Sequence, residues 1–332
     1  MCIRDRCLLP ISCLLILLIS ISGASVRAGD LISGLSTLSD SDIRNSAIAF
    51  VNASTSPGLE GATLKVDTDT RYSEQWRSSL GFSGEFTIKD HIFNGYWGFA
   101  IVGGSLSDTL DLVTDEGEPV MLDVKRDVLG LRGSIGMILP INQHFKLRPY
   151  LSLSISDLQT NSIFDGPVTV DFVDTSFCQT SDRLTVCDTS AYMAATSATF
   201  DALYSRWFGD NRLELDAQYN LIYTDSISGD NPILNTDAWN HTVQLKSRFS
   251  GPASLVTSGR PWRWHVYLDH TNFLGQDKAS LGYTGLFEIG TGLLWEMNIK
   301  LLDYFGMQSV GINIGVITSR NVEGYNVGLT IK

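Results

Sequence analysis

Leu213-Glu214-Leu215-Asp216-Ala217-Gln218-Tyr219-Asn220-Leu221-Ile222-Tyr223 is a run in which apolar and polar side chains take turns. Successive side chains of a strand point to opposite faces. The run therefore reads as a β-strand with a dry face of Leu213, Leu215, Ala217, Tyr219, Leu221 and Tyr223 and a wet face of Glu214, Asp216, Gln218 and Asn220. The next segment repeats the pattern, with Trp239, Val243, Leu245 and Phe249 alternating with Asn240, Thr242, Gln244, Lys246 and Arg248. From Phe145 to Ile155, Leu147, Leu151 and Leu153 oppose Lys146, Arg148, Ser152 and Ser154; later, Tyr283, Phe287, Ile289, Leu293 and Trp295 oppose Thr284, Glu288 and Glu296. Such runs exceed the roughly 5–6 residues of a globular strand and suit the roughly 9–11 that cross a membrane when tilted. A soluble β-sandwich also alternates. The aromatic residues near strand ends (Tyr72, Trp76, Tyr96, Trp97, Tyr204, Trp207, Trp262, Trp264, Trp295 and Tyr304) instead suit the interfacial girdles of an outer-membrane barrel.

Short and long breaks alternate along the chain, and that sets the topology. Lys89-Asp90-His91, Pro140 to Gln143, Gly209-Asp210-Asn211, the longer Gly251 to Arg260, and the region of Leu302-Asp303 read as periplasmic turns. Thr114 to Pro119, Asn161 to Asp188, Ser226 to Asp237 and Leu274 to Ser280 read as extracellular loops. The expected fold is all-β: an antiparallel transmembrane barrel of about twelve strands, of outer-membrane type, starting near Leu59 with both ends in the periplasm. In the fourth strand the apolar parity shifts between Val128 and Leu129, where a bulge is expected.

The first residues agree with export. Arg4 and Arg6 precede an apolar run from Leu8 to Ile21, followed by the small residues Gly23, Ala24 and Ala28, the three-part layout of a secretory signal peptide. The run is shorter than the roughly 20 residues a spanning helix needs. Residues 1–28 are therefore expected to be a leader cleaved after Ala24 or Ala28. Residues 29–58 then form a short periplasmic or lumenal segment, and residues 59–332 the barrel. Ile43, Ala47, Ile48 and Val51 have near-helical spacing, which suits a helix lodged in the lumen. Cys2, Cys7 and Cys13 leave with the leader. The remaining Cys178 and Cys187 are expected to form a disulfide in the longest loop, since no further metal ligands stand near them.

Three positive charges and one negative leave with the leader, so the net charge of −12 becomes −14. An acidic chain without Lys/Arg clusters argues against nucleic acid as a partner. With 18% charged residues, 30 glycines and no long apolar run in the mature part, a polytopic helical membrane protein is excluded. No Gly-rich phosphate loop, Cys-x-x-Cys cluster or Gly-x-Ser-x-Gly elbow occurs there, so neither a cofactor nor a metal is expected.

Three features together resemble the translocator barrels of autotransporters, and more narrowly solitary barrels of that type without a passenger. They are the strand count, the Leu147-Arg148-Pro149-Tyr150 segment entering a strand, and the alternating end Tyr325, Val327, Leu329, Ile331. The resemblance covers roughly Leu59 to Lys332. It implies an outer-membrane location among lipids and lipopolysaccharide and insertion by the barrel assembly machinery; since trimeric porins are larger, a monomer is expected. Assembly signals of such barrels usually finish on an aromatic residue, whereas here the sequence reads Ile331-Lys332.

Inward parity assigns Glu85, Arg132, Lys146, Arg148, Asp201, Glu214, Asp216, Lys246, Arg248, Arg263 and Glu288 to the lumen. Two readings stand: a pore lining that sorts solutes by charge, or a network of ion pairs that fills and stiffens the interior. The rival class is an enzyme. Asp269-His270-Thr271-Asn272 sits at the extracellular end of a strand and invites comparison with omptin-type proteases and with outer-membrane lipid A deacylases. The deacylase pattern is His-x-Ser-Asn, and here the hydroxyl of Thr271 falls one place early, on the opposite strand face. Asp269 and His270 are the candidate acid–base pair. The leading expectation is a non-enzymatic barrel acting as a narrow channel or a structural surface protein.

Overall fold

The computed structural model describes residues 40–331 apart from 56–60, 69–70, 90, 114–118, 166–188, 230–236, 276–280 and 298–308. Cys178, Cys187, Tyr304 and the leader lie outside the described residues. One helix, α1 (Asp40–Thr55), precedes β1 (Ala62–Thr68), β2 (Arg71–Thr87), β3 (Asn94–Val113), β4 (Pro119–Pro140), β5 (Phe145–Asp165) and β6 (Thr189–Phe208). There follow β7 (Asn211–Gly229), β8 (Asp237–Thr257), β9 (Arg260–Gly275), β10 (Gly285–Glu296), β11 (Ser309–Ser319) and β12 (Val322–Ile331). Among the described residues these are twelve strands. Each pairs antiparallel with its neighbour in sequence, and β1 pairs with β12 to close the barrel. No described helix is long and apolar enough to cross a membrane; the strands are what span.

The outer wall divides into two bands, and β4 shows why. Its outward residues are Asp123, Lys125 and Asp127 towards the long-loop end, then Leu129, Leu131, Ile135 and Met137 towards the short-turn end. Its inward residues reverse this: Val124 and Val128 are buried above, while Arg132 and Ser134 lie below. On β5, Asp157, Gln159 and Asn161 face outward above Ile155, Leu153 and Leu151, which are 52%, 53% and 63% exposed. Large apolar side chains this exposed have lipid as their solvent, so the membrane ends near Leu129 and Ile155. Strands of 20–22 residues (β3 to β6) have about twice the length a bilayer needs, and the surplus projects as a tower at the long-loop end. The tower is wet outside, and inside it apolar side chains such as Val124, Val128 and Leu158 surround a few buried polar ones, Arg126 among them.

The parity change at Val128 and Leu129 is this inversion and not a bulge, because the pairing of β4 with β3 and β5 keeps its register through both residues. Irregularities occur elsewhere, between Tyr192 and Met193 and between Pro252 and Val256. The expected turn at Gly251 to Arg260 shortens to Ser258-Gly259. Both of these residues have positive φ, 54° and 71°, as a two-residue turn matching strand twist requires. Tyr283 does not share the outward face of Phe287; it is buried, and its hydroxyl donates to Gln75 Oε1 at 3.0 Å.

The plane makes a direct prediction. With cysteine at position 127 or 157, intact cells should react with a membrane-impermeant maleimide; with cysteine at position 131 or 153 they should not. Equal labelling of all four would place the boundary elsewhere.

β1 is only half a wall. Its seven residues pair with β2 from Arg77 to Arg71 and with β12 from Asn326 to Val322, all on the long-loop side. A Cβ on Gly61 would meet the carbonyls of Val327 and Arg77 at 3.2 and 3.6 Å, so the chain passes between β12 and β2 part-way up the wall.

Candidate functional site

The lumen is the site, and α1 fills its upper part. Asp40 and Asp42 stand in the first turn, where the helix dipole favours negative charge, and Ala47, Ala49 and Ala53 are strong helix formers. Every residue from Ala47 to Thr55 is 0–4% exposed. A helix buried on all sides needs small or apolar side chains all round, and this one has them. Ile48, Phe50 and Val51 pack with Leu106, Val128, Leu158 and Met193 on one side; Ala49 and Ala53 pack with Leu64, Val66, Phe273 and Leu286 on the other.

The helix C-terminus, with its unsatisfied carbonyls and partial negative charge, is met by two guanidiniums. Arg77 Nη1 donates to the Ala53 carbonyl at 3.3 Å and Arg132 Nη1 to that of Thr55 at 2.5 Å. Thr224 Oγ1 donates to Asn52 Oδ1 at 2.5 Å. Between Thr55, Arg132, Ser152 and Ser154 lies a cavity of about 10 Å³, room for about one water. Arg132 is thus a helix cap rather than part of an open pore.

Below the helix, towards the short-turn end, strand alternation places the other expected lining residues on the inner face of the wall. Arg148 Nε and Nη2 both donate to Asp201 Oδ2, at 2.8 and 2.5 Å. Its guanidinium lies 4.8 Å from the Tyr96 ring centre and 5.8 Å from that of Tyr150. Gln218 Nε2 donates to the Tyr150 hydroxyl at 2.7 Å. Lys146 approaches Glu85 at 3.7 Å across the mouth. Glu214 pairs with Arg212 at 3.2 Å, and Arg263 with Glu296 at 3.8 Å. Glu288 Oε1 accepts from the Tyr267 hydroxyl and from Asn326 Nδ2, each at 2.7 Å. Asp216 stands opposite Lys246 in the β7–β8 register. Arg248 stands opposite Glu214 in the β7–β8 register, and it makes no ion pair among the described residues.

Asp269 and His270 do not come together. As consecutive strand residues they point to opposite sides of the wall. Asp269 faces inward, opposite Lys246 and Glu288 by register. His270 faces outward and stacks on Phe287, with ring centres 4.1 Å apart and planes at 22°. Its Nδ1 lies 3.2 Å from the Leu286 carbonyl. Two of the presumed girdle aromatics also turn inward: Tyr96, 9% exposed, and Trp207, which pairs across the strands with Arg212.

Several interior groups escape sequence reasoning. Arg126, Asp108 and Ser73 form a buried cluster inside the tower, with Arg126 Nη1 2.9 Å from Asp108 Oδ2 and Ser73 Oγ donating to Asp108 Oδ1 at 2.5 Å. Arg126 and Ser73 have the parity of Arg132 and Glu85, but the apolar face has switched sides at their level, and that hides them. Arg212 and Glu296 share the parity of residues already assigned inward, and the same rule would have found them.

No protein-family model and no curated protein matches the chain. Solved structures do. The β domain of the Bordetella autotransporter BrkA superposes with a TM-score of 0.50 at 13% identity, over 81% of this chain and 94% of that one. The transport unit of AIDA-I from Escherichia coli gives 0.45 at 8% identity over 87% and 98%. The translocator domain of NalP from Neisseria meningitidis gives 0.44 at 9% identity over 81% and 83%. The fold is that of an autotransporter-type outer-membrane barrel.

Proposed function

We propose that the chain serves as a structural surface protein of the outer membrane: a passenger-less autotransporter-type barrel that α1 keeps closed and whose tower stands clear of the lipid. The observation that carries this reading is the burial of nine consecutive helix residues, Ala47 to Thr55, inside the wall. The charged residues below them are mostly engaged with one another or with the helix end, which favours a stiffened interior over a pore lining that sorts solutes. Export would use residues 1–28, cleaved after Ala24 or Ala28. Residues 29–58 would carry the plug, and Cys178 and Cys187 would close a disulfide within the longest loop. Insertion would fall to the barrel assembly machinery, and the monomer would stand among lipids and lipopolysaccharide.

Planar-bilayer recording tests the closed state. The refolded protein should be silent, and the same barrel lacking Gly29 to Pro57 should give steady, ion-selective steps. Steady conductance from the intact chain would overturn the reading.

A further inference from the structure

At the short-turn end of the lumen an indole stands in water. Trp207 is 54% exposed, yet its parity on β6 turns it inward, where neither lipid nor an apolar core covers it. The guanidiniums of Arg212 and Arg263 lie 5.6 and 5.0 Å from its ring centre. Both are fixed in turn, Arg212 by Glu214 and by the Ser205 hydroxyl at 3.0 Å, and Arg263 by the Asp210 carbonyl at 2.8 Å. The ring is thus steadied by cations whose charge is already answered. Arg248 is not answered: among the described residues it has no carboxylate partner. In the strand ladder Trp207 faces Arg212, Arg212 faces Ser250, and Arg248 lies two residues beyond Ser250. Two strand spacings and two residue rises separate the indole's Cα from that of Arg248 by roughly 12 Å. With both side chains reaching inward, that gap suits one or two sugar rings.

We propose that this mouth binds a carboxylate-bearing sugar, with Trp207 as the platform for the apolar face of a pyranose and Arg248 as the guanidinium for its carboxylate. The residues favour a sugar over an acidic peptide. A flat exposed ring matches a flat ligand face, and the polar neighbours Ser205, Ser250 and Glu214 offer no apolar pocket for peptide side chains. Short turns face the periplasm in barrels of this kind, so the site would draw its ligand from there, either as cell-wall glycan or as a free acidic sugar. The lumen above is filled by α1, so bound sugar is held rather than passed. The site itself does not depend on the plug.

Calorimetry on the full-length barrel in a zwitterionic detergent without a sugar headgroup tests it, with three probes: a disaccharide carrying one glucuronate, the neutral disaccharide cellobiose, and triglutamate. The glucuronate disaccharide should bind, Trp207→Ala and Arg248→Gln should each weaken it at least tenfold, and Trp295→Phe, on the outer wall, should leave it unchanged. Cellobiose should bind more weakly and be indifferent to Arg248→Gln. Co-sedimentation with cell-wall sacculi, lost in Trp207→Ala, would assign the glycan as source; binding of the disaccharide without co-sedimentation would assign a free sugar. Triglutamate binding as tightly as the disaccharide and insensitive to Trp207→Ala, or no disaccharide binding by a barrel shown to be folded, would overturn the proposal.

Discussion

Replacing Asp201 with alanine is expected to destabilise the barrel by about 3–5 kcal/mol, the usual cost of leaving one member of a buried ion pair alone. Asp201 is fully buried, and a single one of its oxygens receives two bonds from Arg148. The guanidinium it answers is itself only 22% exposed and lies against Tyr96 and Tyr150. Without the carboxylate that cation keeps its desolvation and loses its counter-charge. Removing both charges together is a different experiment: Arg148→Met with Asp201→Leu should cost far less than either single change, because well-packed apolar pairs replace buried ion pairs with little penalty. Urea unfolding in micelles reads both. If Asp201→Ala lies within about 0.5 kcal/mol of the parent, the pair does not brace the wall.

The second large effect concerns the helix. Phe50 is fully buried, and Phe50→Ala should cost about 3–5 kcal/mol through lost burial and the cavity left behind. The wall closes on this side chain tightly: a Cβ on Gly104 would come within 3.3 Å of Phe50 Cζ, 2.9 Å of Ser54 Oγ and 3.0 Å of the Trp76 carbonyl. A serine hydroxyl can turn away but a strand carbonyl cannot. Gly104→Val should therefore push the helix from outside, at a cost of about 1–3 kcal/mol. Both changes loosen the same contact from opposite sides. In bilayers they should convert a silent barrel into one with brief openings, and continued silence would mean that α1 is held by the rest of its surface.

How much of this was legible depends on which solvent a residue faces. The β7 and β8 runs were readable because lipid on one side and a polar lumen on the other impose strict alternation over their lower length. On β4 the same rule suggested a bulge, because period-two reasoning assumes one solvent per face, and at Leu129 the outer solvent changes from lipid to water while the inner one changes from polar lumen to helix. Tyr283 departs from the outward face of Phe287 because it lies before β10 begins, where alternation no longer governs side-chain direction. Trp207 has the residue type of an interfacial girdle; only its place opposite Arg212 across the ladder says otherwise. The helix was half legible. Spacing marked Ile43, Ala47, Ile48 and Val51, but the burial of Asn52, Ser54 and Thr55 needs partners such as Thr224 and Arg132 that are far away in sequence. For Asp269 and His270, adjacency in sequence suggested a pair that adjacency on a strand forbids.

The short β1 has a consequence for the order of assembly. Five residues join Thr55 to Gly61, and six such steps span at most about 22 Å. The strand that completes the ring is therefore leashed to the helix inside it. Were the ring to close first, α1 would have to thread through a finished wall or be drawn down from the long-loop end past packed side chains. The cheaper path has the helix already lying on the open, curled sheet when β1 reaches β12. On that path filling and closing are one event, and the barrel is never an empty cylinder.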